Sequence, residues 1–213
     1  MSMQEYGTLT RDVIMLAPHC PEHVAEHAIR ATVIDFCKRT LWWTYKSDPI
    51  DLVADEKAYD IEVPNGTEPI SVIAAWYDSM PLWPLGRATK NRWHPLDPDS
   101  RRSRPMAFTQ SEDKEVILSP VPEKSESGML VLLTAIRPKR SSTSADAEML
   151  ERWFDCLVDG ALARVYAIPN QPFTSPDMSL MRQKTYRAGV TDAKIDASKA
   201  LTTASLRVVP RQP

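Results

Sequence analysis

The sequence predicts a mixed α+β protein. In the predicted fold, N-terminal and C-terminal helices form an α-helical bundle, with a small antiparallel β-sheet or sandwich inserted between them and an extended C-terminal tail. Apolar residues recur with helical periodicity over residues 20–43 and 145–197, whereas residues 50–136 contain about six short strand-like runs. We therefore predict bundle helices over 1–49, a β-domain over 50–138, further bundle helices over 139–199 and the tail over 200–213.

One long helix is predicted to begin at Pro21, whose ring favours the first helical position, and to end near Trp42. At 100° per residue, one face is suited to packing on the rest of the subunit: Ala25, Ala28, Ile29, Thr32, Val33 and Phe36. The opposite face is too polar for a core but still carries an isoleucine: His23, His27, Arg30 and Ile34. We predict that this opposite face contacts another subunit.

The composition is ordinary for a soluble globular protein, with 43% hydrophobic and 25% charged residues. No apolar run approaches roughly 18 residues, and the N-terminus lacks a signal-peptide pattern, so we expect neither a membrane span nor a secretion signal. The three widely spaced cysteines are expected to be reduced thiols of a cytoplasmic protein, two of them buried.

Patterns that would indicate catalysis or metal binding are weak. His23 and His27 lie one helical turn apart, close to Cys20, and this spacing can bind zinc, but no third and fourth ligand is evident nearby. The sequence has no GxGxxG, GxxxxGK[ST], GxSxG, HExxH, CxxC or EF-hand motif. We therefore favour a subunit contact over a zinc site at these histidines, and we predict no enzyme activity, no catalytic residue and no cofactor.

A basic loop is predicted inside the β-domain, over residues 86–105. It combines a tryptophan with several cations: Arg87, Lys90, Arg92, Trp93, Arg101, Arg102 and Arg104. A long loop in a compact domain is usually functional, and aromatic and cationic side chains together can track a nucleic-acid strand. Because no reading helix adjoins the loop, we favour protein contact over sequence-specific DNA binding. Weak contact with DNA phosphates is compatible with both.

The C-terminal third is predicted to contain a helix over residues 145–167 and another from Ser175 to about Ala197. Charge is unevenly distributed. Residues 178–213 contain seven basic and two acidic side chains, a charge of +5, which leaves −7 for the remainder of a chain whose net charge is −2. Such asymmetry indicates either a segment that binds an acidic surface or a solvated basic helix.

Several short motifs follow one another in a distinctive order. A Cys-Pro pair precedes a helix that ends in Asp-Phe-Cys-x-x-Thr-x-x-Trp over residues 35–43. An apolar strand then ends at Pro138, and the later motifs are Trp153 followed by Gly-Ala-x-Ala at 160–163, then Tyr186, Gly189 and Ala193. Over roughly residues 9–198, this order resembles the tailed-phage head-to-tail adaptor, or neck, proteins, a family that includes the tail tubular protein A of T7-like phages.

The resemblance implies a non-enzymatic structural protein of the virion neck, assembled in the host cytoplasm. Twelve copies would form a ring that joins the portal to the tail and continues the DNA channel. The implied partners are the portal protein, the tail nozzle or tube protein, other copies of the chain and, non-specifically, the passing double-stranded DNA, with no membrane. The basic C-terminal segment would dock on the portal through Arg182, Arg187, Lys194, Lys199, Leu206, Arg207, Val208 and Val209. The main alternative is a phage DNA-binding or packaging accessory protein, and a cell-wall hydrolase is a weaker third reading.

Overall fold

The computed structural model describes residues 2–85, 102–111 and 114–201. It is a mixed α+β protein, as predicted, and its internal contacts divide it into two compact units. The helical unit comprises the chain up to Trp42 and from Thr143 onward, and the β-unit comprises Trp43–Ser142.

The described part of the helical unit contains five helices and two short strands. The helices are α1 (Gly7–Leu16), α2 (Glu22–Thr40), α3 (Ala147–Arg152), α4 (Phe154–Tyr166) and α5 (Pro176–Leu201). The strands β1 (Met3–Glu5) and β11 (Ser144–Asp146) pair antiparallel, a feature that was not predicted. The described part of the β-unit contains β2 (Thr44–Lys46), β3 (Ile50–Leu52), β4 (Ala58–Asp60), β5 (Thr67–Tyr77), β6 (Met80–Pro81), β7 (Trp83–Pro84), β8 (Ala107–Gln110), β9 (Glu115–Ser119) and β10 (Glu126–Pro138).

Helix α2 is the long helix that the sequence predicts, with small changes at its ends. Pro21 is its N-cap rather than its first helical residue, and the helix ends at Thr40 because Leu41 takes a left-handed conformation with φ 53°. The Leu41 N–H donates to the Cys37 carbonyl at 3.0 Å, which satisfies one of the last carbonyls. The predicted core face is confirmed, since all of its members are buried: Ala25, Ala28, Ile29, Thr32, Val33 and Phe36.

Two glycines allow close packing between α4 and its neighbours. A Cβ on Gly160 would lie 2.5 Å from Thr32 Cγ2 on α2 and 2.7 Å from Tyr186 Cδ2 on α5. A Cβ on Gly189 would lie 2.6 Å from Cys156 Sγ on α4. These helices therefore lie too close together for any residue other than glycine at these two positions of the C-terminal motifs.

The prediction of one continuous helix over residues 145–167 is wrong. Residues 144–146 pair with β1 instead, and Asp146 then begins α3 by accepting the Met149 N–H at 3.1 Å. A second interruption falls at Trp153, with φ −110°, which separates α3 from α4. The Trp153 ring centroid lies 5.6 Å from that of Trp42, in an edge-on contact. Pairing with a distant strand and this aromatic contact both override local helix propensity.

The described part of the β-unit contains two sheets. In the five-stranded sheet the order is β2-β10-β5-β6, with β3 also paired to β10, and in the four-stranded sheet it is β4-β9-β8-β7. Strand β10 is central in its sheet and ends at Pro138, where the sequence predicts the end of an apolar strand. It begins at Glu126 because β3 extends its pairing: Glu126 pairs with Leu52 and Leu130 with Ile50, whereas β5 pairs with residues 130–138. Strand β2 forms because residues 44–46 pair antiparallel with β10. Buried residues of both sheets share one hydrophobic core, which includes Leu118, Leu130 and Leu132.

We expect Gly160→Ala to lower the melting temperature of the protein, because the new methyl group would clash with Thr32 and Tyr186. Overpacking of this kind typically costs about 1–3 kcal/mol of the free energy of unfolding. Thermal denaturation followed by circular dichroism measures the change. The matched control is Gly7→Ala, where a Cβ would meet nothing within 4 Å. Equal melting temperatures for the two variants would contradict the packing argument.

Candidate functional site

The face of α2 opposite its core is available for contact. His23 and His27 are exposed, and Arg30 and Ile34 are half-buried. The Nε of Arg30 is buried and has no hydrogen-bond partner among the described residues. A half-buried isoleucine beside two exposed histidines is compatible with a surface that a protein partner covers. The sequence prediction of a subunit contact here stays a prediction.

The cations proposed for portal docking differ in their surroundings. On α5, Arg187, Lys194 and Lys199 are exposed, whereas Arg182 is half-buried and its Nη1 lies 2.5 Å from Oδ1 of Asp159. Because Asp159 is itself buried, this ion pair is an internal link between α4 and α5. The remaining docking residues lie outside the described residues: Leu206, Arg207, Val208 and Val209.

A groove between α2, α4 and α5 has a volume of about 200 Å³ and carries three arginines. We call it the arginine groove and define it by Asp35, Arg39, Arg164, Tyr186 and Arg187. Asp35 is its centre: its carboxylate accepts the Tyr186 hydroxyl at 2.9 Å and lies 3.0 Å from Arg39 Nε and 4.0 Å from Arg164 Nη2. Three guanidinium groups against one carboxylate leave two positive charges in excess.

Sequence reasoning missed the arginine groove. Arg39 and Arg164 each lie in the last turn of a helix, where a positive charge interacts favourably with the helix dipole. This local explanation of each arginine gives no indication that the two side chains lie in the same groove. The available signal was the pair of small-residue motifs, since helices that approach this closely bring their flanking side chains together.

Only part of the basic loop can be placed. Arg102 Nε lies 2.8 Å from Oδ1 of Asp55, and Arg104 Nη2 lies 3.5 Å from Oδ2 of Asp78. The Arg104 guanidinium also lies over the Tyr77 ring, 4.8 Å from its centroid. These two cations therefore have carboxylate partners within the β-unit. The other loop residues proposed for contact lie outside the described residues: Arg87, Lys90, Arg92, Trp93 and Arg101.

An exposed apolar patch on the β-unit was also missed. Trp83 is 74% exposed, Met106 65% and Met80 57%, and they line a cavity of about 410 Å³. Tryptophan and methionine are enriched at protein interfaces, so this patch is a candidate contact surface. The feature of the sequence that could have indicated this patch is the position of Trp83 between Pro81 and Pro84. Prolines limit strand pairing, so a tryptophan in such a short extended run is less often covered by a neighbouring strand.

The thiols and the possible metal-ligating side chains can be described for the part of the chain that the structure covers. The prediction that two of the cysteines are buried is confirmed: Cys20 and Cys37 are buried, and Cys156 is half-buried. Burial, with the negative charges of Asp159 and Asp192, raises the pKa of the Cys156 thiol to about 12, so it is a poor nucleophile at neutral pH. In the described part of the chain, no group of three or more histidine, cysteine, aspartate or glutamate side chains is placed to hold a metal ion. None of the described helices is long and apolar enough to cross a membrane.

Exposed helix faces, a charged groove and an apolar patch are the candidate contact surfaces among the described residues. A family model for the SU10 adaptor protein matches residues 5–209, nearly the whole chain. The chain therefore belongs to the SU10 adaptor protein family, a family of structural, non-enzymatic phage proteins. It is a component of the virion, and membership implies contact with other capsid or tail proteins.

The narrower resemblance to the tail tubular protein A of T7-like phages stays a prediction. A search among curated proteins found no significant match to this chain.

We expect Tyr186→Phe to reduce the loss of stability at alkaline pH. Burial and the negative charge of Asp35 raise the pKa of Tyr186 above its ordinary value of 10.0. The folded state therefore keeps a proton that the unfolded state loses. This stabilising contribution is complete below pH 10 and is lost as the pH rises from there towards the folded pKa. At neutral pH the variant loses one hydrogen bond, worth about 1 kcal/mol.

Urea denaturation at a series of pH values measures this difference. Tyr45→Phe, on β2 of the other unit, controls for the loss of a tyrosine hydroxyl elsewhere in the chain. The same alkaline slope in Tyr186→Phe and the parent protein would show that Tyr186 does not control it.

Proposed function

We propose that the protein is one of twelve copies in a ring that joins the portal to the tail and continues the DNA channel. In this proposal the helical unit is a bundle, the β-unit is a small sandwich, and the ring occupies the neck of the virion after assembly in the host cytoplasm. The observation that carries the proposal is the match of nearly the whole chain to one adaptor family. An adaptor must bind its own copies and two different partners, so it needs several separate contact surfaces.

Neighbouring subunits are proposed to meet at the outer face of α2. The exposed imidazoles of His23 and His27 and the half-buried side chains of Arg30 and Ile34 support this assignment. A subunit that covers this face would exclude water from Ile34, which favours association.

The portal is proposed to bind the C-terminal basic segment. Lys194 and Lys199 are exposed on α5, and residues 202–213 add Arg207 and Arg211 without any acidic residue, whereas Arg187 lines the arginine groove. Arg182 belongs to the same series in sequence, but its pair with Asp159 assigns it to the packing of α4 and α5. Complementary charge on the portal would steer this segment to its site.

The tail protein is proposed to bind the β-unit. The exposed apolar patch of Met80, Trp83 and Met106 supports this assignment, because large apolar side chains at such exposure are typical of binding surfaces. The cations of loop 86–105 would then lie beside this contact or face the passing DNA, whose phosphates they would attract without reading its sequence.

The mass of the purified protein, alone and with portal rings, tests the proposal. We expect the chain to join portal rings in a fixed ratio of twelve copies per ring, measured by native mass spectrometry. A chain that ignores the portal and binds duplex DNA with a steep salt dependence would contradict the adaptor reading and establish the DNA-binding alternative.

We expect removal of residues 202–213 to abolish portal binding while the melting temperature stays unchanged, because α5 remains complete to Leu201. Sedimentation with portal rings measures binding. The matched control replaces these twelve residues with a scrambled segment of the same composition, which keeps both charges. Undiminished portal binding by the truncated chain would contradict docking through this segment.

A further inference from the structure

We infer that the arginine groove of one subunit binds the exposed carboxylates of Glu22 and Glu26 on α2 of a second copy. This inference rests on the proposed ring and names the surfaces through which neighbouring copies would pair. The contact joins two different surfaces, so it is head-to-tail, and contacts of this kind generate a ring when the rotation between subunits closes.

The groove provides the cationic half of the contact. Its Arg39 and Arg164 side chains are 51% and 44% exposed, although both lie near Asp35. Arg187 is exposed on α5 and makes no ion pair with any described residue. An incoming carboxylate can therefore accept from guanidinium groups that still have free N–H donors, and such pairs are frequently bidentate.

The acidic half lies on the same chain but on another side of α2. Glu22 and Glu26 are exposed, lie one turn apart and make no ion pair with any described residue. At 100° per residue, their mean direction differs from that of Asp35 and Arg39 by about 140° around the helix axis. Glu26 also lies roughly 20 Å along the axis from Arg39, at 1.5 Å per residue.

These positions prevent Glu26 from reaching the groove of its own subunit. Its direction and its distance along α2 both separate it from Arg39. A second copy can bring the two surfaces together, and the chain then satisfies in an assembly the charges that it leaves unpaired as a monomer. The acidic pair also borders His23 and His27, so the new contact is continuous with the proposed outer-face contact.

The shape of the groove favours a protein carboxylate over a DNA phosphate. Its volume of about 200 Å³ suits the end of one or two side chains. Asp35 would repel a phosphodiester that carries its charge along a continuous backbone, whereas one carboxylate can approach Arg187 on the rim while Asp35 remains with Arg39 and Tyr186.

Charge reversal and charge exchange test the inference in the presence of portal rings. We expect Arg187→Glu and Glu26→Arg each to weaken the filling of the ring about tenfold, because each places like charges opposite one another. The double variant restores opposite charges in every contact and should recover most of the loss. Native mass spectrometry gives the number of copies per portal ring, and circular dichroism confirms that every variant is folded.

Two controls make the same charge changes elsewhere on exposed helix positions, Lys184→Glu on α5 and Glu148→Arg on α3. Both should fill the ring as the parent protein does. Failure of the parent protein itself to bind the portal would overturn the proposed function. If the parent fills the ring but the single variants fill it equally well, or the double variant recovers nothing, the groove contact is wrong and the ring proposal stands. Loss of DNA binding by Arg187→Glu with normal filling would also overturn the groove contact and assign the groove to phosphates.

Discussion

The packing of Tyr186 holds the helical unit together. Its ring lies against Gly160 of α4, and its hydroxyl donates to Asp35 of α2 at 2.9 Å, so one side chain of α5 contacts both other long helices. Only a glycine at position 160 leaves room for this ring. Asp35 in turn holds Arg39 and sits beside Arg164, so the same contact that packs the core also positions the cations of the arginine groove. Stability and the proposed interface therefore depend on one arrangement.

Periodicity was enough to predict α2, because this helix has a single buried stripe and its outer face is clearly more polar. It was not enough for residues 144–153. There the chain pairs with β1 from the opposite end of the sequence, and Trp153 packs against Trp42, two contacts that no local pattern contains. The motif glycines show a third case. Their spacing could be recognised in the sequence, but the reason for it became visible only in the structure: the helices approach so closely that they leave no room for a methyl group.

For the candidate contact surfaces too, some features could be predicted from the sequence and others could not. His23 and His27 could be predicted to be exposed because exposure on a helix follows from sequence spacing. The pairing of Arg102 with Asp55 and of Arg104 with Asp78 could not, because these partners are distant along the chain and counting cations in a loop ignores them. The arginine groove was hidden for the same reason, since its members come from three helices. The net charge of a segment predicts the sign of the charge on a partner surface. It does not predict which cations of the segment are already paired within the chain and which can still bind the partner.

Exposed ion pairs contribute little individually, typically below about 1 kcal/mol. A ring held by such contacts at the groove would be unstable from free subunits at ordinary concentration. A portal that first bound each chain through its basic C-terminal segment would change this balance, because neighbouring copies would then be held close together and each lateral contact would become effectively intramolecular. Weak lateral contacts would consequently be an advantage in the proposed assembly. They would keep free copies from closing empty rings, and they would become sufficient only where the portal had already arranged the subunits side by side.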